Sequence, residues 1–191
     1  AGGDQHVARD RERRRDDLVA LTRALVRVPN LTHPGDCYRE ICDFLATRLR
    51  RKGFAIEVQR AEGTPGDSDR FPRWNVVARR EGAGPGECVH FNSHTDVVLP
   101  GQGWTFDPFG GEIQDGRIYG RGTCDMKGGL AASIIAAEAF IDVFPDFAGA
   151  IEISGTADEE TGGYGGVAYL GQKGYFSPDR VQHGIIPEPL N

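Results

Sequence analysis

The sequence predicts an α/β domain built on a largely parallel sheet flanked by helices. Three observations carry that prediction. Stretches of helical and strand-like periodicity interleave along the chain instead of grouping by type. Residues 130–144 are apolar nearly all round, the pattern of a helix buried against a sheet. Clusters of acidic residues and histidine directly follow apolar strand candidates, which is where open α/β sheets carry their sites.

Residues 1–8 are expected to form a disordered tail. Leu18, Leu21, Leu25 and Val28 recur at helical spacing, so residues 9–28 read as a helix that Pro29 ends. Its arginines (Arg9, Arg11, Arg13, Arg14, Arg15) alternate with Asp10, Glu12, Asp16 and Asp17, which marks a solvated, salt-bridged face. A second helix spans about 36–52, with Tyr38, Ile41, Leu45 and Leu49 inward and Gly53 as its stop. Strands follow at 55–60, 75–80 and 87–92, and the Pro/Gly/Asp-rich piece 63–73 is a loop. Turn residues dominate 100–120, with a short β excursion around Ile113, Arg117 and Tyr119. After the buried helix come a strand at 150–154, a short helix at 164–172 and a last strand at 181–186. No repeat or linker divides the chain, so residues 1–191 read as a single domain.

Composition narrows the function classes. With 39% hydrophobic and 26% charged residues the chain is of globular type. A net charge of −6 argues against a general nucleic-acid binder. The longest apolar run, residues 130–141, contains Ser133 and Glu138 and is too short to span a bilayer, so no membrane partner is expected. No secretory leader pattern opens the chain. Cys37, Cys42, Cys88 and Cys124 form no C-x-x-C pair, which fits a reduced, cytoplasmic protein without a thiolate metal site.

The chemistry centres on the glycine-rich turn from Gly120 to Gly129, which carries Asp125 into the apolar helix. Glycines there let the backbone pass close to a neighbour and adopt positive φ. His94 and Asp96 follow the strand candidate at 88–92, and Asp158, Glu159 and Glu160 follow the one at 150–154. Glu188 stands between Pro187 and Pro189 after the final strand, and Pro189 holds it extended. One imidazole and several carboxylates suit Zn, Mn or Co. Two divalent ions about 3.5–4 Å apart need a bridging carboxylate, and they activate water as hydroxide. A further carboxylate must stay free to take the proton. Glu159 and Glu160, being adjacent, can divide ligand and base between them. His90, lying within a strand, reads as a core or face residue, and His6, His33 and His183 are not expected to be ligands.

These residues resemble a known family. The resemblance rests on His94-Thr95-Asp96-Val97-Val98, on Trp104 with Asp107-Pro108-Phe109, and on Tyr119-Gly120-Arg121-Gly122 through Asp125-Met126-Lys127-Gly128-Gly129. It continues in Asp158-Glu159-Glu160-Thr161-Gly162-Gly163 and Pro187-Glu188-Pro189. Together they are similar to the co-catalytic zinc amidohydrolases, which include acetylornithine deacetylase, succinyl-diaminopimelate desuccinylase, aminoacylase and carboxypeptidase G relatives. The stretch from Trp104 to Gly129 looks nearer the deacetylase and desuccinylase branch. The resemblance implies that His94 and Glu188 bind one metal, Asp125 bridges two, and Glu160 binds the second. It also implies that Glu159 is the general base, that Asp96 orients His94, and that a cis peptide follows Asp125.

By the same resemblance the chain is the N-terminal part of a zinc-peptidase-like catalytic domain. A lid domain, through which a homodimer can form, and a second-metal histidine would lie in a longer chain, leaving one complete and one incomplete metal shell here. The implied activity is hydrolysis of an amide in an N-acyl amino acid or small peptide-like substrate, by metal-bound hydroxide. The alternative is a metal-binding domain that needs further chain or a partner for activity.

Overall fold

Residues 2–189 are described in the computed structural model, with side chains from Asp10 onward. In chain order the elements are α1 (Gly2–Val26), α2 (Tyr38–Arg50), β1 (Ala55–Arg60), β2 (Trp74–Glu81) and β3 (Gly84–His94). A hairpin follows, β4 (Glu112–Gln114) and β5 (Arg117–Tyr119), then α3 (Gly128–Val143) and β6 (Ala148–Thr156). Last come α4 (Tyr169–Gln172) and β7 (His183–Ile185).

The main sheet has the order β1-β2-β6-β3-β7. β2 pairs antiparallel with both β1 and β6, whereas β3 pairs parallel with both β6 and β7. Four strands therefore point one way and β2 alone is reversed, the largely parallel sheet expected. Alternation along the strands separates two faces. Val76 and Ala78 of β2 and Ile151 and Ile153 of β6 face α1, α2 and α3 in one continuous core with Leu25, Ile41, Leu45, Leu130 and Ile134. The other face is polar at its centre, where His90 and Glu152 stand opposite each other across the β3–β6 pair. A smaller apolar cluster of Val77, Leu170 and Tyr175 lies apart from the main core.

One arginine joins the three helices. Arg48 of α2 donates to Glu138 of α3 at 2.9 and 2.7 Å and to Asp17 of α1 at 3.2 and 2.7 Å. The mixed charges of α1 pair as expected where described, with Asp10 holding Arg13 and Arg14, each at 2.8 Å.

Several boundaries differ from expectation, each for a local reason. α1 includes residues 2–8, where a disordered tail was expected; no proline interrupts the segment before Pro29. The helix expected at 164–172 is broken, with a wide turn at Tyr164–Ala168 before the single turn of α4. Gly166 lies so close to strand-end backbone that a Cβ there would sit 2.0 Å from the carbonyl of Ala157. The last strand is only His183–Ile185, an edge strand with exposed residues. The apolar helix is α3 as expected, but its far end, Phe140, Val143 and Phe144, stays exposed, as do Ile185 and Ile186. The β excursion is the β4–β5 hairpin, turned by Asp115 and Gly116 with φ of 52° and 74°. Among the described residues no helix is long and apolar enough to cross a membrane.

Ile134 is fully buried between α3 and the sheet. Ile134→Ala is expected to lower the unfolding free energy by about 2–5 kcal/mol. Urea denaturation with an unchanged m value checks it.

Candidate metal centre

Parallel pairing brings the site together. β3 ends at His94, which stands opposite Thr156, the last residue of β6, so the segment Asp158-Glu159-Glu160 emerges beside the imidazole. β7 runs parallel on the other side of β3, and Glu188 follows it closely in the chain. Three carboxyl-terminal strand ends thus meet at one edge, as the sequence led one to expect.

Asp125 arrives from a different direction, in the wide turn Thr123–Lys127 that opens α3. The peptide between Asp125 and Met126 is cis, as the family resemblance implied. Gly129 is needed where it stands, because a Cβ there would lie 2.3 Å from the carbonyl of Pro187. That close approach seats the Glu188 segment on the start of α3.

His94, Asp125 and Glu188 offer ligand atoms that all lie within 4.8 Å of one another. Nε2 of His94 is 2.9 Å from Asp125 Oδ1, 3.6 Å from Glu188 Oε1 and 3.8 Å from Glu159 Oε2. Nδ1 of the same ring is 3.0 Å from the main-chain carbonyl of Asp96, which can only accept. Nδ1 therefore carries a proton, and Nε2 is the atom turned toward the carboxylates. Glu160 is half-buried, close enough to Asp125 and His94 for their charges to act on its carboxyl.

Asp96 meets His94 with both its main chain and its side chain. Its carboxylate stands 3.5 Å from His94 Nδ1. The two oxygens meanwhile accept the backbone N–H groups of Glu159 and Glu160 at 3.1 and 3.2 Å. One buried residue thus touches the imidazole through its carbonyl and holds the acidic turn through its side chain.

Asp158 belongs to the support of that turn. Its carboxylate accepts two bonds from Arg73 Nε, at 3.2 and 2.9 Å, and one from Tyr38 Oη at 2.7 Å. Arg73 also donates to the carbonyls of Pro34 and Phe71 at 2.9 and 2.8 Å. Asp158 itself sits at φ 58°, a left-handed conformation that this clamp holds. Lys127 is a further surprise. It is fully buried, with Nζ donating to the carbonyl of Val28 at 2.8 Å and to Asn30 Oδ1 at 2.7 Å.

Sequence reasoning gave no role at the site to Arg73, Asn30 or Lys127, and read Tyr38 only as an inward residue of the second helix. Lys127 was visible only as part of the glycine-rich motif. His90 is buried as expected, bonded to Glu152 Oε1 and Ser154 Oγ, each at 2.8 Å. His183 is exposed and meets Glu87 at 2.7 Å, while His6 lies outside the described side chains. Trp104 Nε1 donates to the carbonyl of Pro100 at 2.7 Å, and the Arg121 guanidinium lies 5.4 Å from its ring.

The charges shape one another. Burial works against a charged His94, yet the carboxylates of Asp96, Asp125 and Glu188 outweigh it and raise the imidazole to about 9. Glu160 is raised by burial and by the nearby Asp125 carboxylate, and Glu188 by burial and its contact with Asp125. Burial pushes Lys127 down to about 7 against the pull of Asp96.

The fold and this cluster define the class: an α/β domain of metallopeptidase type. Residues 90–191 match the model of peptidase family M20/M25/M40, and the chain belongs to that family. It is 41% identical over 179 residues to a succinyl-diaminopimelate desuccinylase of Methylorubrum extorquens, covering 91% of this chain and 43% of that protein. Its fold is similar to human carnosine dipeptidase 1, with a TM-score of 0.80 at 24% identity, over 98% of this chain and 41% of the other. It is also similar to the YXEP protein of Bacillus subtilis, described as a dinuclear metal binding peptidase, with a TM-score of 0.60 at 18% identity, over 87% of this chain and 41% of that one. The chain thus spans somewhat over two fifths of the length of the curated relative it matches.

The donor set fits a divalent ion. One imidazole nitrogen, with its other nitrogen tied down, converges with two carboxylates, a combination that suits Zn, Co or Mn.

Arg73 and Asp158 are each almost wholly buried. Arg73→Met leaves the carboxylate without its cation and is expected to cost about 3–5 kcal/mol. Thermal and chemical denaturation of the variant against Arg73→Lys measures it.

Proposed function

We propose that the chain carries the metal centre of an amide hydrolase acting on an N-acyl amino acid. An N-succinyl amino acid is the leading substrate class, a small peptide the second. The observation that carries this reading is the convergence of His94, Asp125 and Glu188 on one point at the carboxyl edge of a parallel sheet. The 41% identity to a desuccinylase favours the succinyl group.

In this reading His94 Nε2, Glu188 and Asp125 would hold one ion, and Asp125 and Glu160 would hold a second. Zinc is the preferred ion, with cobalt or manganese as substitutes. Bound divalent ions supply the Lewis acidity that activates water and polarises the amide carbonyl. Glu159, half-exposed at the mouth of the cluster, takes the proton from the attacking water at a carboxylate oxygen and returns it to the leaving nitrogen. The Asp96 carbonyl keeps the proton of His94 on Nδ1, and the Asp96 carboxylate fixes the backbone from which Glu159 and Glu160 project. A homodimer joined through a lid domain is part of the proposed complete enzyme.

A second reading has its own support. Among the described residues only one group of three metal donors converges, and the chain spans 43% of its curated relative. On that reading these 191 residues form a metal-binding domain that needs further chain or a partner for turnover. Zinc titration together with succinate release from N-succinyl amino acids separates the two. Two tight equivalents with turnover mark the first reading, and one tight equivalent without turnover the second. In either case Asp125→Ala is expected to abolish tight binding.

Zinc uptake also has an expected pH dependence. Without metal, His94 keeps its proton up to about 9, so below that pH the ion must displace it. Binding near neutrality is expected to release about one proton per chain and to tighten as pH rises toward 9. Calorimetry in buffers of different ionisation heat reads the released proton directly.

Glu159→Gln keeps the size and hydrogen-bonding capacity of the side chain but cannot take a proton. In the active enzyme kcat is expected to fall by about 10²–10⁴ with metal content unchanged. Metal lost in parallel with rate would instead make Glu159 a ligand.

A further inference from the structure

The turn carrying Asp125 and the strand end carrying His94 are joined by a route that runs through neither residue. Lys127, Asn30 and Thr95 are all fully buried. Nζ of Lys127 donates to the carbonyl of Val28 and to Asn30 Oδ1, at 2.8 and 2.7 Å. The other end of the same amide, Asn30 Nδ2, donates to the main-chain carbonyl of Thr95 at 2.6 Å. Thr95 is bonded in sequence to His94, and Lys127 lies two residues past Asp125. Backbone bonds complete the frame: Val97 N–H donates to the carbonyl of Asn30 at 3.1 Å, Thr32 N–H to that of Val97 at 3.0 Å, and Lys127 N–H to that of Gly122 at 2.9 Å.

The energetics make this arrangement expensive for a merely structural contact. Burying an ammonium costs several kcal/mol unless strong partners compensate. Both acceptors of Lys127 are neutral oxygens. A methionine of similar length would fill the same space without that cost. What the lysine supplies, and an apolar chain does not, is a directed link between the two segments whose side chains meet at Nε2 of His94 and Oδ1 of Asp125.

We propose that Lys127, with Asn30 as its relay, is a positioning residue for the metal centre. It sets the separation of His94 and Asp125 through the loop at residues 28–32. The inference rests on the metal-binding reading above and names two residues that hold the ligands without touching the ion. Because the link passes through one amide, breaking it at either end has the same effect, so the two residues act as a unit.

The test measures zinc affinity of the 191-residue chain by competition with a chromophoric chelator, at a temperature where each variant is folded by circular dichroism. Lys127→Met and Asn30→Ala are each expected to weaken zinc binding by about 10–100-fold, the usual effect of removing a support behind a ligand. The double variant is expected to be no weaker than either single one. Arg48→Met, remote from the cluster, serves as the control. It should lower the melting temperature while leaving zinc affinity unchanged, which separates positioning from general loss of stability. If Lys127→Met does not fold, Asn30→Ala decides the matter, since it leaves the lysine in place. Zinc affinity within twofold of the parent in the folded variants, or simple additivity in the double one, overturns the inference alone. A parent chain that binds no zinc overturns the metal-binding reading and this inference with it.

Discussion

The parallel register of β3 on β6, with His94 opposite Thr156, is the constraint from which the site follows. Strand side chains alternate between faces, so a slip of one residue would turn His94 into the helix-covered core. The register is set by what lies on each face. Ile151 and Ile153 of β6 belong to the helix side together with Phe91, while Glu152 pairs with His90 on the other. The same apolar and polar division that buries the core therefore aims the imidazole at the sheet edge. β7 and the end of β6 then deliver carboxylates to that edge without any long excursion of the chain.

Crowding acids around one imidazole is electrostatically costly, and the structure divides them into two kinds. Asp96 is satisfied by two backbone N–H groups, and Asp158 by Arg73 and Tyr38. Both are buried and committed to the protein. Asp125, Glu159, Glu160 and Glu188 are more exposed, and those that cluster face His94. The tripeptide Asp158-Glu159-Glu160 thus contains both kinds, one anchor and two acids left free to meet something else. Neighbours in sequence acquire opposite tasks because backbone turns send consecutive side chains in different directions.

That division also explains what was legible in the sequence. His94, Asp125 and Glu188 could be singled out because each follows or opens a recognisable element, and the strand ends that carry two of them are local patterns. His90 could be read as interior because it falls inside a strand run. The supports were invisible for the opposite reason. Arg73 reaches Asp158 across 85 residues, Tyr38 across 120, and Lys127 reaches Asn30 across 97. No periodicity announces a partner at such separations. The broken helix after Tyr164 was misread because a glycine in a helical pattern is ambiguous until the backbone it must clear is known.

Arg48 ties the fold together in a different sense. Its guanidinium is shared between Asp17 of α1 and Glu138 of α3, and Glu138 is nearly buried. If α2 swings away, both carboxylates lose their cation at once, one of them in a dry setting. Local opening of that helix is therefore penalised by charges on two others, and the three behave as one cooperative unit. Amide exchange along α1, α2 and α3 should accordingly report a common opening free energy over their packed faces. The protein thereby gains a layer of three helices tied to one another behind the sheet.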